Sequence, residues 1–318
     1  MAIVLDFEKP IIELENKISE LKEFTKKENI DLSGEIGKLQ KRLDKLCKDV
    51  FDNLTSWQTV QLSRHPDRPY TLDYIRLLTS DFVEIHGDRR FADDKALLAG
   101  FARIDGRKVM IMGHQKGRDM KENLERNFGC AHPEGYRKAM RVMKLAEKFG
   151  IPVVSFIDTP GAYPGVDAEE RGQAEAIAYN LREMAGLKVP IVVIVIGEGG
   201  SGGALGIGVG DRIYVMENAY YSVISPEGCA AILWRERSKS CLAAECLKLT
   251  AKELMALGII DGIVPEPLGG AHRGPEQAAA AIKKVIMENI EELSRLSADE
   301  LVEQRYTKYR NMGVYKEK

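Results

Sequence analysis

The sequence predicts an α/β protein with mainly parallel strand pairing, headed by a helical hairpin. Three observations carry that reading. Apolar residues recur at heptad-like spacing over 11–50, strand-length apolar runs alternate with helical stretches from residue 97 onward, and one tight antiparallel hairpin interrupts the alternation. The chain has 318 residues, enough for one large domain with an appendage or for two domains.

The elements can be justified in order. Ile11, Leu14, Ile18 and Leu21 recur at steps of three and four, and beyond Asp31-Leu32-Ser33-Gly34 the pattern resumes with Ile36, Leu39, Leu43, Leu46 and Val50. Such spacing puts one apolar stripe on each helix, so residues 1–55 form an antiparallel helical hairpin. Pairing alone cannot bury both stripes, which predicts a docking surface on the main domain or on another subunit. Residues 56–96 read as a connector: Pro66 and Pro69 break helices there, and a short helix follows over Leu72–Leu78. The core spans 97–272. Leu98–Ile104 and Lys108–Gly113 flank Asp105-Gly106, a strong short hairpin signal. A helix from Glu134 ends at Gly150 with Pro152 beyond, then come strand Val153–Ile157, a helix over Asp167–Met184 and strand Ile191–Ile196. A small-residue helix and strands Arg212–Met216, Tyr220–Ile224 and Ile259–Val264 complete it, with Arg137 and Lys138 expected on the polar face of their helix. The hairpin argues for ββα units rather than plain βα alternation. Residues 273–318 read as C-terminal helices.

Composition narrows the function. The 46 basic and 48 acidic residues leave a net charge of -2, which gives no electrostatic case for nucleic-acid binding. Five cysteines at 47, 130, 229, 241 and 246, with no CxxC pair, argue for a reducing compartment and against a structural zinc site. Met1–Pro10 lacks the pattern of a signal peptide, and apolar runs such as Val192–Ile196 are strand-sized, so neither a leader nor a membrane span is expected. A cytoplasmic location follows as an expectation.

Two glycine-rich turns concentrate the chemistry. Asp158-Thr159-Pro160-Gly161-Ala162-Tyr163-Pro164-Gly165 and Gly197-Glu198-Gly199-Gly200-Ser201-Gly202-Gly203-Ala204 each follow an apolar strand and precede a helix. Backbone N–H groups gathered there suit anions, so the turns are natural oxyanion holes. The second turn also fits two other patterns. Gly197-x-Gly199-x-x-Gly202 with Glu217 matches a dinucleotide fingerprint, although at least three strands precede it and Glu198 would repel a pyrophosphate. Gly199-x-Ser201-x-Gly203 with Asp261 and His272 matches a nucleophile elbow with triad partners in order, leaving a serine hydrolase as an alternative. A Walker A loop is excluded, since no Lys-Ser/Thr follows the glycines.

With Ser225-Pro226-Glu227-Gly228-Cys229-Ala230, Pro265–His272, Leu5-Asp6-Phe7-Glu8 and Arg68–Tyr74, these turns resemble the biotin-dependent acyl-CoA carboxyltransferases, specifically the family of bacterial acetyl-CoA carboxylase carboxyltransferase α subunits. The resemblance covers nearly the whole chain. It implies a crotonase-like spiral of ββα units and an α2β2 assembly with a zinc-ribbon β subunit. It also implies a biotin carboxyl carrier protein, a biotin carboxylase, and conversion of acetyl-CoA to malonyl-CoA. Biotin would arrive on the carrier partner, with no metal or nucleotide held by this chain. By the same resemblance Gly202, Gly203 and Ala204 supply the biotin-side oxyanion hole, lined by Gly161, Ala162, Tyr163 and Gly165. Lys116 and Arg118 are candidates to meet CoA phosphates or acidic groups of a partner, as is the segment Arg126–Gly129. A hydratase of the same fold would need its own acid, for which Glu198 and Glu227 are the candidates.

Overall fold

Two amphipathic helices open the chain, α1 (Lys9–Glu28) and α2 (Ser33–Phe51), in the computed structural model, which describes residues 4–28 and 31–313. Residues 1–3 and 29–30 of the expected hairpin and 314–318 of the expected C-terminal segment lie outside the described residues. Ile11, Ile18, Leu43 and Cys47 are buried between the two helices, with Leu14, Leu39 and Leu46 packed alongside. The hairpin docks on the rest of the chain through polar groups at its base. Glu15 pairs with Arg273 at 2.7 Å, and the buried Glu8 faces His272 at 3.6 Å.

The stretch read as a connector holds more structure than its prolines predict. It carries α3 (Ser56–Ser63), opened by a Thr55/Gln58 capping box, then α4 (Thr71–Leu78) and an edge strand β1 (Ser80–Glu84). Strands β2 (Leu97–Ile104) and β3 (Arg107–His114) form the expected antiparallel hairpin. Helices α5 (Met120–Glu125) and α6 (Pro133–Lys148) follow, then β4 (Val153–Thr159). The single helix expected over Asp167–Met184 is two, α7 (Val166–Glu170) and α8 (Gln173–Ala185). They part at Gly172, whose φ of 84° is a left-handed conformation that glycine adopts cheaply. Beyond β5 (Ile191–Gly200) come α9 (Ser201–Leu205), β6 (Arg212–Met216), β7 (Tyr220–Ser222), α10 (Pro226–Trp234), α11 (Ser240–Leu247), α12 (Ala251–Ala256), β8 (Gly262–Val264), α13 (Pro275–Leu293) and α14 (Ala298–Arg310).

All eight strands join one sheet in the order β1-β2-β3-β4-β5-β6-β8, with β7 also on β5. The first two pairings are antiparallel and the rest parallel. β5 is long enough to pair with β6 along its first half and with β7 along its last three residues. β4 and β5 are buried along their whole length, as central parallel strands are. α14 is strapped down by Arg305, which is fully buried. Its guanidinium meets both oxygens of Asp211 at 2.8 Å and donates to the carbonyls of Met184, Leu187 and Val189.

One expectation about α6 is corrected. Lys138 is not on a polar face: it is fully buried, with its ammonium 2.6 Å from Asp93 and 2.8 Å from the Asp94 carbonyl. Arg137 is likewise largely covered and bonds Asp88 at 2.7 Å. Burying such cations is tolerable only with these partners. The loop 87–95 that supplies them lies far from α6 in sequence.

Candidate active site

β4 and β5 end side by side, and each runs directly into one of the glycine turns. Their ladder keeps register to Ile157↔Val195 and resumes at Thr159↔Gly199, so an irregularity falls at Asp158. Such bulges re-aim the chain and leave ladder groups unpaired. Here the Asp158 side chain takes up the slack, its Oδ1 accepting the Glu198 N–H at 2.9 Å.

The proline-bracketed turn is held from within. Thr159 Oγ1 accepts from the Gly161 N–H at 3.1 Å and donates to the Gly161 carbonyl at 2.7 Å. Tyr163 N–H donates to the Ala131 carbonyl, and its ring stacks on His132 with centroids 4.0 Å apart. Gly165 caps α7. The N–H groups of Gly161 and Tyr163 are therefore already used.

The serine turn lies against it backbone to backbone. A Cβ on Gly203 would stand 2.5 Å from Ala162 N and 2.8 Å from the Gly161 carbonyl oxygen, so only glycine fits there. No hydrogen bond to a described residue engages the N–H of Gly202 or Gly203. Beside them the Gly203 carbonyl accepts from the fully buried Tyr136 hydroxyl at 3.3 Å. Two adjoining donors are thus presented with no internal acceptor, an arrangement suited to holding an oxyanion.

Behind the turns lies a buried ion network. Lys116 Nζ sits 2.6 Å from Asp158 and 2.8 Å from Glu198. Glu198 also accepts from Arg64 at 2.6 Å and from the Tyr220 hydroxyl at 3.0 Å, and Arg64 reaches on to Glu227 at 2.5 Å. Burial alone would raise the Glu198 pKa, but Lys116 and Arg64 hold it down at about 2. Burial likewise opposes the Lys116 charge, and the two carboxylates more than restore it, so this lysine stays protonated. His114, fully buried nearby, is driven by burial and then by the Lys116 charge down to a pKa of about 3 and is neutral. The Gly203 backbone favours its charged form, and among the described residues neither ring nitrogen meets a hydrogen-bond partner.

Of the residues singled out from the sequence, Gly161, Ala162, Gly202, Gly203, Ala204 and Lys116 meet at this place, with Tyr163 and Gly165 farther along the same turn. The Lys116 ammonium faces two carboxylates inside the protein. Arg118 is committed to the connector: it pairs with Asp73, donates to the Arg68 carbonyl at 3.0 Å and lies 3.9 Å over the Tyr70 ring. Arg126 bonds the Lys95 carbonyl at 2.9 Å, and Gly129 seats the Lys116 stem. Sequence reasoning missed Arg64, Tyr220 and His132, which lie in segments that carry no motif of their own.

The alternatives do not assemble. Ser201 is exposed with φ 53°, the strained geometry of an elbow. Asp261, however, pairs with Lys308 and caps the Ile213 N–H at 2.6 Å, while His272 stacks on His65 at 4.2 Å. Glu217 accepts from the Glu266 N–H instead of facing the glycines. Glu198, ionised and sealed by two cations, has no proton to give as the acid of a hydratase. Among the described residues no cluster of His, Cys, Asp and Glu could hold a metal ion, and no helix is long and apolar enough to cross a membrane.

Comparison with known proteins agrees with this geometry. The family model for acetyl co-enzyme A carboxylase carboxyltransferase-like proteins matches residues 4–313. The chain belongs to this family. It is 57% identical to the acetyl-coenzyme A carboxylase carboxyl transferase subunit alpha of Chlorobaculum parvum, over 99% of this chain and 98% of that one. Against the Fusobacterium nucleatum subunit of the same name, identity is 58% over 98% and 99%. The Syntrophotalea carbinolica subunit gives 57% over the full length of both. Solved structures show the crotonase-like fold. Transcarboxylase 12S aligns with TM-score 0.55 at 20% identity over 77% of this chain, which spans only 42% of that one. A Pseudomonas malonate decarboxylase hetero-tetramer aligns at 0.58 and 15% identity, over 74% and 91%. The chain is therefore an α-type carboxyltransferase subunit of a biotin-dependent, multi-subunit enzyme family.

Proposed function

We propose that the chain forms the biotin-side half of a carboxyltransferase that converts acetyl-CoA to malonyl-CoA for fatty acid synthesis. The observation that carries this reading is the pair of unclaimed N–H groups on Gly202 and Gly203, braced by backbone contact with Gly161 and Ala162. These donors, with Ala204 beside them, fit the oxygen of a ureido ring, and the carboxylate of Glu198, on the same turn, is neutralised by Lys116 and Arg64. Bound there, biotin supplies the carboxyl group and a ureido oxygen on which negative charge grows. The chain's own contribution is fixed dipoles aimed at that oxygen, which act without reorganising. Pro160 and Pro164 stiffen the turn that backs them, lowering the entropy lost in aiming it. The acyl-CoA half then comes from a partner.

In this reading the partner is a zinc-ribbon β subunit in an α2β2 assembly, and biotin arrives on a carboxyl carrier protein after loading by a separate biotin carboxylase. The reaction takes place in the cytoplasm. The test mixes the purified chain with a carboxyltransferase β subunit and follows malonyl-CoA decarboxylation dependent on biocytin, with each protein alone as control. Activity is expected only in the mixture. Full activity of the isolated chain, or none in a mixture that forms a complex, overturns the half-site reading.

A further inference from the structure

Resting on that reading, we propose that Lys116, clamped between Asp158 and Glu198, is a positioning residue that sets the spacing of the two glycine turns and so aims the Gly202 and Gly203 donors. Asp158 is the residue before Thr159-Pro160-Gly161, and Glu198 stands three residues before Ser201. A cation that holds both carboxylates, at 2.6 and 2.8 Å, therefore ties the root of one turn to the root of the other. The tie falls where the β4–β5 ladder is interrupted, so the backbone bonds that fix register elsewhere are replaced here by Asp158 Oδ1 and the lysine.

The lysine is built in, not incidental. Its side chain is 11% exposed, and its stem lies against Gly129, whose Cβ would come within 2.9 Å of the Lys116 Cγ. Gly129 has φ 80°, so both the space and the backbone conformation at that position call for glycine. The outer ring closes with Arg64, which joins Glu198 to Glu227 at the start of α10, and with the Tyr220 hydroxyl.

Stability alone gives a weak reason for such a network. Buried ion pairs lose in desolvation about what they gain in attraction, and apolar replacements of the same shape are often as stable. What the ions add is a fixed distance. Donors displaced by about 1 Å can lose about a hundredfold in rate. The clamp thereby accounts for a lysine that the sequence offers as a phosphate contact and that the fold keeps away from solvent.

The experiment uses the assembled α/β complex and two variants, Lys116→Met, which keeps the stem, and Asp158→Asn, which keeps the shape and can still accept the Glu198 N–H. For each, the urea midpoint is measured with kcat and with KM for biocytin and for malonyl-CoA separately. The clamp predicts folded proteins in which kcat/KM for biocytin falls by about a hundredfold for Lys116→Met and less for Asp158→Asn, while KM for malonyl-CoA stays put. If Lys116→Met fails to fold, Asp158→Asn decides with the same split. Unchanged biocytin kinetics in a folded variant, or parallel losses for both substrates that follow the folded fraction, overturn the proposal. Gly203→Ala, run alongside, separates the two ideas. Loss there with normal Lys116→Met kinetics removes the clamp and leaves the oxyanion hole standing, whereas normal kinetics in both removes the hole as well.

Discussion

Adding one methyl group at Gly203 should disable the site. The Cβ of Gly203→Ala would lie 2.5 Å from Ala162 N and 2.8 Å from the Gly161 oxygen, whereas ordinary contact begins near 3.4 Å. The obstructing atoms are backbone and cannot rotate aside. The turns must therefore part by about 1 Å, at a cost of about 1–3 kcal/mol for overpacking. The same shift moves the Gly203 N–H off its target, and loss of one oxyanion donor costs about a hundredfold to a thousandfold in kcat. We expect a lower urea midpoint and a decarboxylation rate at least about a hundredfold down in the presence of the β subunit and biocytin. Gly202→Ala is the control. Its Cβ meets only Ile177 Cδ1 at 3.8 Å, so the midpoint should hold, and any activity it loses reports ligand contact rather than packing. Wild-type rate and midpoint for Gly203→Ala would show that the turns are not set by this contact.

Two further outcomes concern stability. His114 is held at a pKa of about 3 against an ordinary 6.5, so the unfolded chain takes up a proton that the folded chain refuses, and stability is lost as pH falls between about 6.5 and 3. His114→Met should flatten urea midpoints across that window and be neutral or stabilising at pH 7, because the ring nitrogens have no partner to lose; an unchanged acid slope would contradict the assignment. Arg305→Met leaves Asp211 buried without its cation, which should cost about 3–5 kcal/mol in a urea melt. A cost below about 1 kcal/mol would show that α14 contributes little to holding the fold.

The strands with the strongest local signals could be read directly. Asp105-Gly106 announced its hairpin, and the apolar runs of β4 and β5 are continuous because both faces are buried. β1 was missed because Ser80-Asp81-Phe82-Val83-Glu84 is a short, mostly polar edge strand, irregular at Asp81 with φ 57°. The break at Gly172 was visible only as one glycine among helix formers. The two turns and their glycines were legible at the candidate site, since close backbone approach leaves a compositional mark. The ion network was not. Arg64, Lys116, Asp158, Glu198 and Tyr220 come from five separate segments, and nothing local distinguishes a lysine that faces a phosphate from one that closes a buried clamp.

The strand order has a bearing on how this protein is made. From β1 to β6 the sheet grows outward by one neighbour at a time in the order of synthesis, β7 and β8 then add beside β5 and β6, and no later strand has to wedge between two already paired. A nascent chain can therefore lay down the sheet as it leaves the ribosome, beginning with the local β2–β3 hairpin, whose loop closes at little entropic cost. The last step differs in kind. Arg305 reaches back 116 to 121 residues to the carbonyls of Met184, Leu187 and Val189, and 94 residues to Asp211, so that Asp211 waits without its cation until Arg305 itself is made. Ribosome-bound chains arrested before α14 should thus show protease-resistant strands with a loose seam at 184–211, which closes only once α14 has cleared the ribosome.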